Sequence, residues 1–266
     1  LYLDHHLTNR PSSADQANFE ANGGYCVWED KPSAARVAYD LVSGHYDLSH
    51  IAPLMPMVDK LDSGQITIDE YLSEDPVLWL SRTIDMNDIP FVMSLMDGIV
   101  SGSSLEKLMD NSVVKQKISI RREKMDSLRH GLDQFGFVKD RLAVVRLENT
   151  GHRSNGYLVT AHFGNNCDAC CIIHGWTDGS IETADRPALS ASFYCNSFLH
   201  PEKGVFDLTR LATMYDETGG GHANACGCRI QPLNEKGDLE NRVVEDSDIS
   251  RNIEGWMLEW RRRTDG

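Results

Sequence analysis

The pattern of apolar residues changes after Gly136, and this change restricts the possible folds of the chain more than any other feature of the sequence. Short runs of apolar and β-branched residues follow, separated by Gly and Asn turns, at 142–147 (LAVVRL), 156–163 (GYLVTAHF), 168–175 (DACCIIHG) and 188–195 (ALSASFYC). This pattern predicts four strands. Two amphipathic patterns follow the strands and predict helices, one at DLTRLATMYD and one in which Trp256 and Trp260 lie on a buried stripe.

Upstream of Gly136 the pattern is mainly helical. Residues 1–3 resemble the end of a buried strand, residues 8–30 read as a polar loop, and Ser33 is a candidate N-cap for a helix that stops at Gly44. Apolar residues from about 103 to 135 predict one long helix or two. We therefore expect an α/β protein with domains at 1–108 and 137–266, joined by a helical linker at 109–136.

The charge balance restricts the class of ligand. The 266 residues contain 26 Lys and Arg against 40 Asp and Glu, a formal net charge of −14. Such a surface repels long phosphate polymers, which favours a small or short anionic ligand. Seven cysteines, an odd number, together with the absence of a signal-like segment, favour reduced thiols and a cytoplasmic location. No apolar run approaches the roughly 20 residues that cross a bilayer, so no membrane partner is expected.

The triplet Asp4-His5-His6 directly follows the predicted first strand. An imidazole at the end of a strand can bind a divalent metal while a neighbouring carboxylate orients it. Adjacent strand residues point to opposite faces, so both histidines can share one site only if the chain turns there. The alternative is an exposed polar loop.

A second candidate is the segment MVDKLDSG, in which Asp59 and Asp62 stand three apart. Asp62 precedes a Ser-Gly turn, a place where a carboxylate can face a metal. The ordinary role of such a carboxylate is to cap its own backbone, and that alternative stays open.

The most specific motif is TGGGHANACG. Three consecutive glycines, Gly219, Gly220 and Gly221, cost conformational entropy unless the backbone must pass close to something. The backbone N–H groups of such a loop can bind an anion, and His222 adds a donor at its edge. A flexible hairpin is the alternative. The cysteine clusters CDACC and CGC lack the paired spacing of a structural zinc site and are better read as small buried thiols.

Taken together and in this order, the three motifs resemble those of the DHH phosphoesterase family, which includes nanoRNase, RecJ-like and exopolyphosphatase-like branches. Asp4-His5-His6 matches the signature triplet, Asp62-Ser63 the later metal motif, and Gly219-Gly220-Gly221-His222 the loop of the DHH-associated C-terminal domain. The resemblance extends from residue 1 to about 230. It implies a parallel-sheet α/β domain followed by a smaller α/β domain with a mixed sheet.

The resemblance also implies roles for these residues. His5, Asp62 and Asp4 would belong to a centre of two divalent ions, Mn²⁺ first and Mg²⁺ or Co²⁺ as alternatives, with Asp4 supporting His5. His6 would contact the substrate phosphate or the metal cluster. The glycine loop and His222 would bind the far end of the substrate. A cytoplasmic nuclease-like hydrolase of short phosphate substrates follows, with a homodimer left open.

The sequence departs from the family pattern in two ways. The family's earlier Asp-x-Asp and lone Asp motifs precede the triplet and are not present here, which predicts an N-terminally truncated chain that is inactive by itself. The family's phosphate-binding Arg-Ser pair is also missing from SASFYCNSF. Arg153 and Asn196 are the candidates to replace it, and a solvated surface role is the alternative for Arg153.

Three functions remain compatible with the sequence. The leading hypothesis is a metal-dependent phosphodiesterase or phosphatase for short oligonucleotides, dinucleotides or a nucleoside bisphosphate. An exopolyphosphatase would use the same metals. A sensor that binds a nucleotide without hydrolysing it is the alternative from another class.

Overall fold

The computed structural model describes residues 1–6, 9–183 and 185–264, with only the backbone of Thr264. The chain divides into two compact units, residues 1–123 and residues 124–266. The boundary falls inside a long helix, within the stretch that the sequence predicts as a linker. None of the described helices is long and apolar enough to cross a membrane.

The first unit contains a small parallel sheet and a series of helices. Its elements, together with the helix that runs into the second unit, are β1 (Tyr2–Asp4), α1 (Ser13–Ala21), β2 (Cys26–Trp28), α2 (Ala34–Ser43), α3 (Met55–Ser63), α4 (Ile68–Tyr71), α5 (Pro76–Ser81), α6 (Ile89–Val100), α7 (Leu105–Asp110) and α8 (Ser112–Phe135). Strand β1 pairs with β2 in parallel, with Asp4 opposite Trp28. Helix α2 packs on β1 and on α3.

The predicted polar loop at 8–30 is wrong over most of its length; Thr8 itself lies outside the described residues. Helix α1 begins after Ser12, whose Oγ accepts a hydrogen bond from the Asp15 backbone N–H at 3.1 Å. None of the residues of α1 is buried, and the segment accordingly lacks the regularly spaced apolar residues by which a helix is recognised in a sequence. Strand β2 is only three residues long. Ser33 caps α2 as predicted, and the 103–135 segment forms two helices, α7 and α8.

The second unit is built on a mixed sheet of six strands over its described residues. Its elements are β3 (Gly136–Lys139), β4 (Leu142–Arg146), α9 (Gly156–Phe163), β5 (Ala169–His174), β6 (Ser190–Cys195), α10 (Thr209–Ala212), β7 (Gly220–His222), β8 (Ala225–Arg229) and α11 (Asp246–Arg261). The strand order is β3-β4-β5-β6-β8-β7. Strands β4 and β5 are parallel, and the other neighbours are antiparallel.

The strand predicted at 156–163 is wrong, because these residues form helix α9. Parallel strands β4 and β5 need a crossover connection between them, and α9 supplies it. Asn155 caps this helix by accepting a hydrogen bond from the Leu158 backbone N–H at 3.2 Å. The apolar run in this segment reflects burial against the sheet rather than a strand.

The core of the second unit lies between the sheet and α11. The Phe193 ring meets the Trp256 ring edge-on at 5.0 Å, and Trp260 is fully buried, as the sequence predicts. The next residue along β6, Tyr194, points to the opposite face and lies against Gly156 of α9. All seven cysteines lie within the described residues and are free thiols, and six of them are buried.

Candidate functional site

The chain turns sharply after β1, and this turn brings both histidine rings of the triplet together. The carboxylate of Asp4 organises the turn, because its Oδ1 accepts hydrogen bonds from the backbone N–H groups of His5 at 2.7 Å and His6 at 3.1 Å. The two ring centroids lie 4.2 Å apart. One ligand atom from each member of the triplet lies within 4.8 Å of the other two. The chain therefore turns as it must if both histidines are to share one site.

The ring of His5 is oriented by the backbone. Its Nδ1 lies 2.9 Å from the carbonyl oxygen of Lys31, and because a carbonyl only accepts, Nδ1 must carry the proton. In the neutral ring Nε2 is therefore a bare lone pair. This atom is buried and forms no hydrogen bond with any described residue, yet it lies 3.2 Å from Asp62 Oδ2.

Two electron-pair donors at this separation fit a bound cation. A neutral imidazole and a carboxylate repel each other unless a proton or a metal lies between them, and an imidazole with a carboxylate is a common ligand set for divalent ions. The Nδ1 bond to a carbonyl is the usual outer support of a metal-binding histidine. His5 and Asp62 thus fit the divalent metal that the sequence predicts.

Asp62 reaches this position because of the way α3 ends. Gly64 takes a left-handed conformation, with φ of 73°, and closes the helix just after Asp62, whose side chain is exposed. Asp59, one turn earlier, has a different role. Its carboxylate accepts hydrogen bonds from Ser33 Oγ at 2.7 Å and from two guanidinium nitrogens of Arg36 at 2.9 and 2.6 Å. The structure thus places Asp62 beside His5, whereas Asp59 is paired with Arg36.

The ring that Asp4 supports differs from the one that the resemblance implies, because Asp4 was expected to support His5. Its Oδ1 also pairs with His6 Nδ1 at 2.7 Å, and its Oδ2 accepts from Tyr2 Oη at 3.1 Å and Asn9 Nδ2 at 3.0 Å. The hydrogen bond from the His6 backbone and the other donors hold the pKa of Asp4 well below its usual range. Asp4 supports the ring of His6, whereas Lys31 supports the ring of His5.

His6 presents its second nitrogen outward. Because Nδ1 faces a carboxylate, it carries a proton, and Nε2 is left at the exposed side of the ring. The His6 backbone is held in place by Trp28, whose indole Nε1 donates to the His6 carbonyl at 2.9 Å. The guanidinium of Arg10 lies 4.6 Å above the Trp28 ring. Sequence reasoning missed Trp28 and Lys31, because nothing in their local pattern marks them.

In the second unit the glycine-rich segment forms a hairpin. Strand β7 pairs with β8, with His222 opposite Ala225, and Asp216 fixes its base by accepting from the Thr218 and Arg229 backbone N–H groups at 2.9 and 2.8 Å. The ring of His222 is exposed and forms no hydrogen bond with a described residue. The hairpin thus forms the edge of the six-stranded sheet.

The three glycines have different reasons to be glycine. A Cβ on Gly219 would lie 2.4 Å from the carbonyl oxygen of Ala212, and a Cβ on Gly221, which has φ of +136°, would lie 2.7 Å from that of Ala225. The protein's own packing therefore requires both. A Cβ on Gly220 would meet nothing within 4 Å, although its φ of +156° is one that L side chains rarely adopt. The open space beside Gly220 is where a ligand can approach this loop.

No family model matches this sequence, and no curated protein matches it either. Solved structures do. The fold is similar to that of a pGpG-specific phosphodiesterase, PggH from Vibrio cholerae, with a TM-score of 0.65 at 20% identity over 86% of this chain and 73% of that chain. The chain has a DHH-like α/β fold.

An exopolyphosphatase-related protein from Bacteroides fragilis also matches, with a TM-score of 0.48 at 15% identity. That match covers 98% of this chain and 63% of that chain. The DHH-like fold agrees with the α/β class predicted from the sequence and with the mixed sheet of the second unit.

Strand pairing in the DHH-like fold also reveals cationic and polar groups that the motifs did not indicate. Ser190 stands between His174 and Arg229 across three neighbouring strands, so the three side chains share one face of the sheet. Arg229 is exposed. Burial and the nearby charge of Arg153 lower the pKa of His174 to about 4, so its ring is neutral at pH 7. An anion-binding face needs a cation, and of these three side chains Arg229 supplies it, at a position that only the strand register reveals.

Asn196 does not fit the substrate-binding role predicted for it. Its side chain is completely buried, and its amide nitrogen donates to the carbonyl oxygens of Cys167 at 2.8 Å and Gly164 at 3.0 Å. It therefore stabilises the turn before β5. Arg153 is exposed and remains a candidate.

Proposed function

We propose that the protein is a divalent-metal-dependent phosphoesterase that hydrolyses short phosphate-containing substrates, with a linear dinucleotide as the first candidate. The observation that carries the proposal is the pair formed by His5 Nε2 and Asp62 Oδ2, which lie 3.2 Å apart and are both electron-pair donors when the His5 ring is neutral. The similar solved structure is named for activity on a linear dinucleotide, which supports this choice of substrate.

The residues of the first unit would have separate roles in metal binding and in substrate binding. His5 and Asp62 would hold the cation, and the Lys31 carbonyl keeps Nε2 of His5 directed at it. A bound divalent ion would supply Lewis acidity and lower the pKa of a bound water. Asp4 holds the proton on Nδ1 of His6, so Nε2 would bind a metal ion of the cluster when the ring is neutral and would donate to a phosphate oxygen only when the ring is an imidazolium.

The residues of the second unit would bind phosphate. The backbone beside Gly220 is open, and His222 and Arg229 are exposed donors. These groups recognise a phosphate rather than a base, so the proposal names a short phosphate substrate and not a sequence. The net charge of −14 also disfavours long polynucleotides as substrates.

The test is a hydrolysis assay of the full-length protein with pGpG and Mn²⁺, followed by ion-exchange chromatography. Addition of one water across the phosphodiester bond should yield two mononucleotides, and chelation of the metal should stop the reaction. Asp62→Asn should abolish turnover, whereas Asp69→Asn, the same change at another exposed aspartate, should not. Faster release of phosphate from polyphosphate would favour an exopolyphosphatase instead.

Binding of pGpG without turnover in the presence of Mn²⁺ would contradict the enzyme proposal and favour the sensor. Calorimetry with pGpG in the same buffer distinguishes these outcomes, because it measures binding whether or not hydrolysis follows. Failure to bind Mn²⁺ at all would remove the basis of the proposal.

A further inference from the structure

Helix α6 carries an apolar seam that the described part of the chain leaves open to solvent. Ile89, Met93, Met96 and Val100 follow one another at spacings of four, three and four residues, so they lie along one narrow stripe of the helix. Their exposed fractions are 50%, 49%, 52% and 83%. A strict alternation of three and four is the spacing by which one helix packs against another.

The opposite side of α6 is already covered. Phe91 and Leu95 are buried there, and a Cβ on Gly98 would lie 3.0 Å from Leu108 Cδ2 of α7. Helix α6 is thus apolar on both sides. A helix of this kind is normally buried all round, so an open seam indicates a surface that another molecule covers.

We propose that this seam is a homodimer interface in which α6 packs antiparallel against α6 of a second copy. The spacing of four, three and four reads the same in both directions. An antiparallel pair therefore places Ile89 opposite Val100 of the second copy and Met93 opposite Met96. Such a pair satisfies a two-fold axis, which is the commonest symmetry of soluble oligomers, and it opposes the two helix dipoles.

The exposed area of the seam approaches, but does not reach, that of a standard dimer interface. Ile84 and Met86 lie a few residues before α6 and are also exposed. With these two residues the seam offers roughly 600 Å² of surface per copy, against about 800 Å² per subunit in a standard interface. A few peripheral contacts would supply the remainder.

A membrane surface fits this seam less well than a second copy does. Helices that lie on membranes carry Lys and Arg beside the apolar face, and α6, with the sequence IPFVMSLMDGIV, contains neither. The net charge of −14 would also repel an anionic bilayer.

Light scattering coupled to size exclusion tests the interface. One chain has a mass of 29.8 kDa, and we expect the wild-type protein to elute with twice that mass. Val100→Glu should yield a monomer. Val243→Glu is the matched control, because Val243 is 82% exposed and lies outside α6, and it should leave the dimer intact. A wild-type monomer at about 100 µM, or a dimer that survives Val100→Glu, would overturn the proposal.

Cysteine crosslinking tests the orientation independently of any loss of stability. Ile89→Cys combined with Val100→Cys should form a covalent dimer on mild oxidation, since these positions face each other only between antiparallel copies. Ile89→Cys alone should not crosslink, and the wild-type protein provides the background from the native thiols. Crosslinking by the single variant would indicate parallel helices and would contradict the antiparallel pairing.

Discussion

His5 Nε2 lies 3.2 Å from Asp62 Oδ2, although His5 directly follows strand β1 and Asp62 belongs to helix α3. The proton on Nδ1 is held by the Lys31 carbonyl, so the two facing atoms are both electron-pair donors. This relationship makes the first unit a candidate metal centre, and it leads directly to a test.

We expect His5→Ala to lower the affinity for Mn²⁺ by about 100-fold or more, because the substitution removes a ligand held in place by the backbone. Isothermal titration calorimetry of the purified chain measures this. His45→Ala is the control, since His45 is an exposed histidine of the same unit. Equal affinities of the two variants would show that His5 does not bind the metal.

Asp59 and Asp62 should respond in opposite ways to the same substitution. Asp59→Asn weakens the fork to Arg36 and should lower the free energy of unfolding by about 2 kcal/mol. Asp62→Asn should leave the free energy of unfolding unchanged, because the Asp62 side chain is exposed. It should abolish metal binding, because it removes the carboxylate that faces His5. Urea denaturation and metal titration of both variants distinguish the roles. A loss of metal binding in both variants with no loss of stability would refute the division.

His222→Ala should weaken the binding of pGpG by about tenfold and leave Mn²⁺ binding unchanged, because the ring is exposed on an edge strand of the second unit. Calorimetry with each ligand separates the two effects. His130→Ala, at another exposed histidine of that unit, should bind pGpG like the wild type. An equal loss of metal and nucleotide binding would mean that His222 acts through the fold.

Acid should destabilise the second unit through Asp248. Burial of this carboxylate alone would raise its pKa, but hydrogen bonds from Arg242 and from the Glu245 and Leu233 backbones outweigh burial and hold the pKa below its usual range. The unfolded chain therefore takes up the proton more readily. The stabilising contribution is present above about pH 4 and is lost as the pH falls further.

Asp248→Asn should therefore lower the free energy of unfolding by about 3 kcal/mol at pH 7, because it leaves Arg242 without its buried counter-charge. The stability of this variant should also depend less on pH in acid than that of the wild type. Thermal unfolding followed from pH 7 to pH 3 measures both effects. Asp178→Asn breaks an Arg-carboxylate pair of the same kind that is exposed to solvent. It should change neither the stability at pH 7 nor its dependence on pH. An unchanged acid limb in Asp248→Asn would assign the effect to other groups.

The thiols of the second unit should react slowly in the folded protein. Burial raises the pKa of Cys167 and Cys195 to about 11 and that of Cys226 and Cys228 to about 12. The reactive thiolate is therefore scarce at pH 8. A thiol-specific chromogenic reagent should label these cysteines slowly in the native state and all seven cysteines in denaturant. Rapid labelling of four or more thiols in the native protein would contradict the buried core.

Several elements of the fold could be read from the sequence because their signals are local. Ser33 caps α2, β4 to β6 lie where apolar runs predicted strands, and Trp256 and Trp260 lie in the core as their helical spacing indicates. Helix α9 could not be read in this way. Its apolar run is compatible with a strand or a buried helix, and only the parallel pairing of β4 with β5 requires a helix there.

The sequence by itself determined which residues could carry chemistry, since Asp4-His5-His6 and the glycine loop are motifs of adjacent residues. Only the tertiary structure decided how they are used. It placed Asp62 rather than Asp59 beside His5, turned Asp4 toward His6, and buried the predicted substrate residue Asn196. These outcomes depend on contacts between distant segments, such as α2 with α3. A distance of a few ångströms across the fold decides whether a carboxylate faces a cation, an arginine or a backbone amide, and local sequence spacing does not encode that distance.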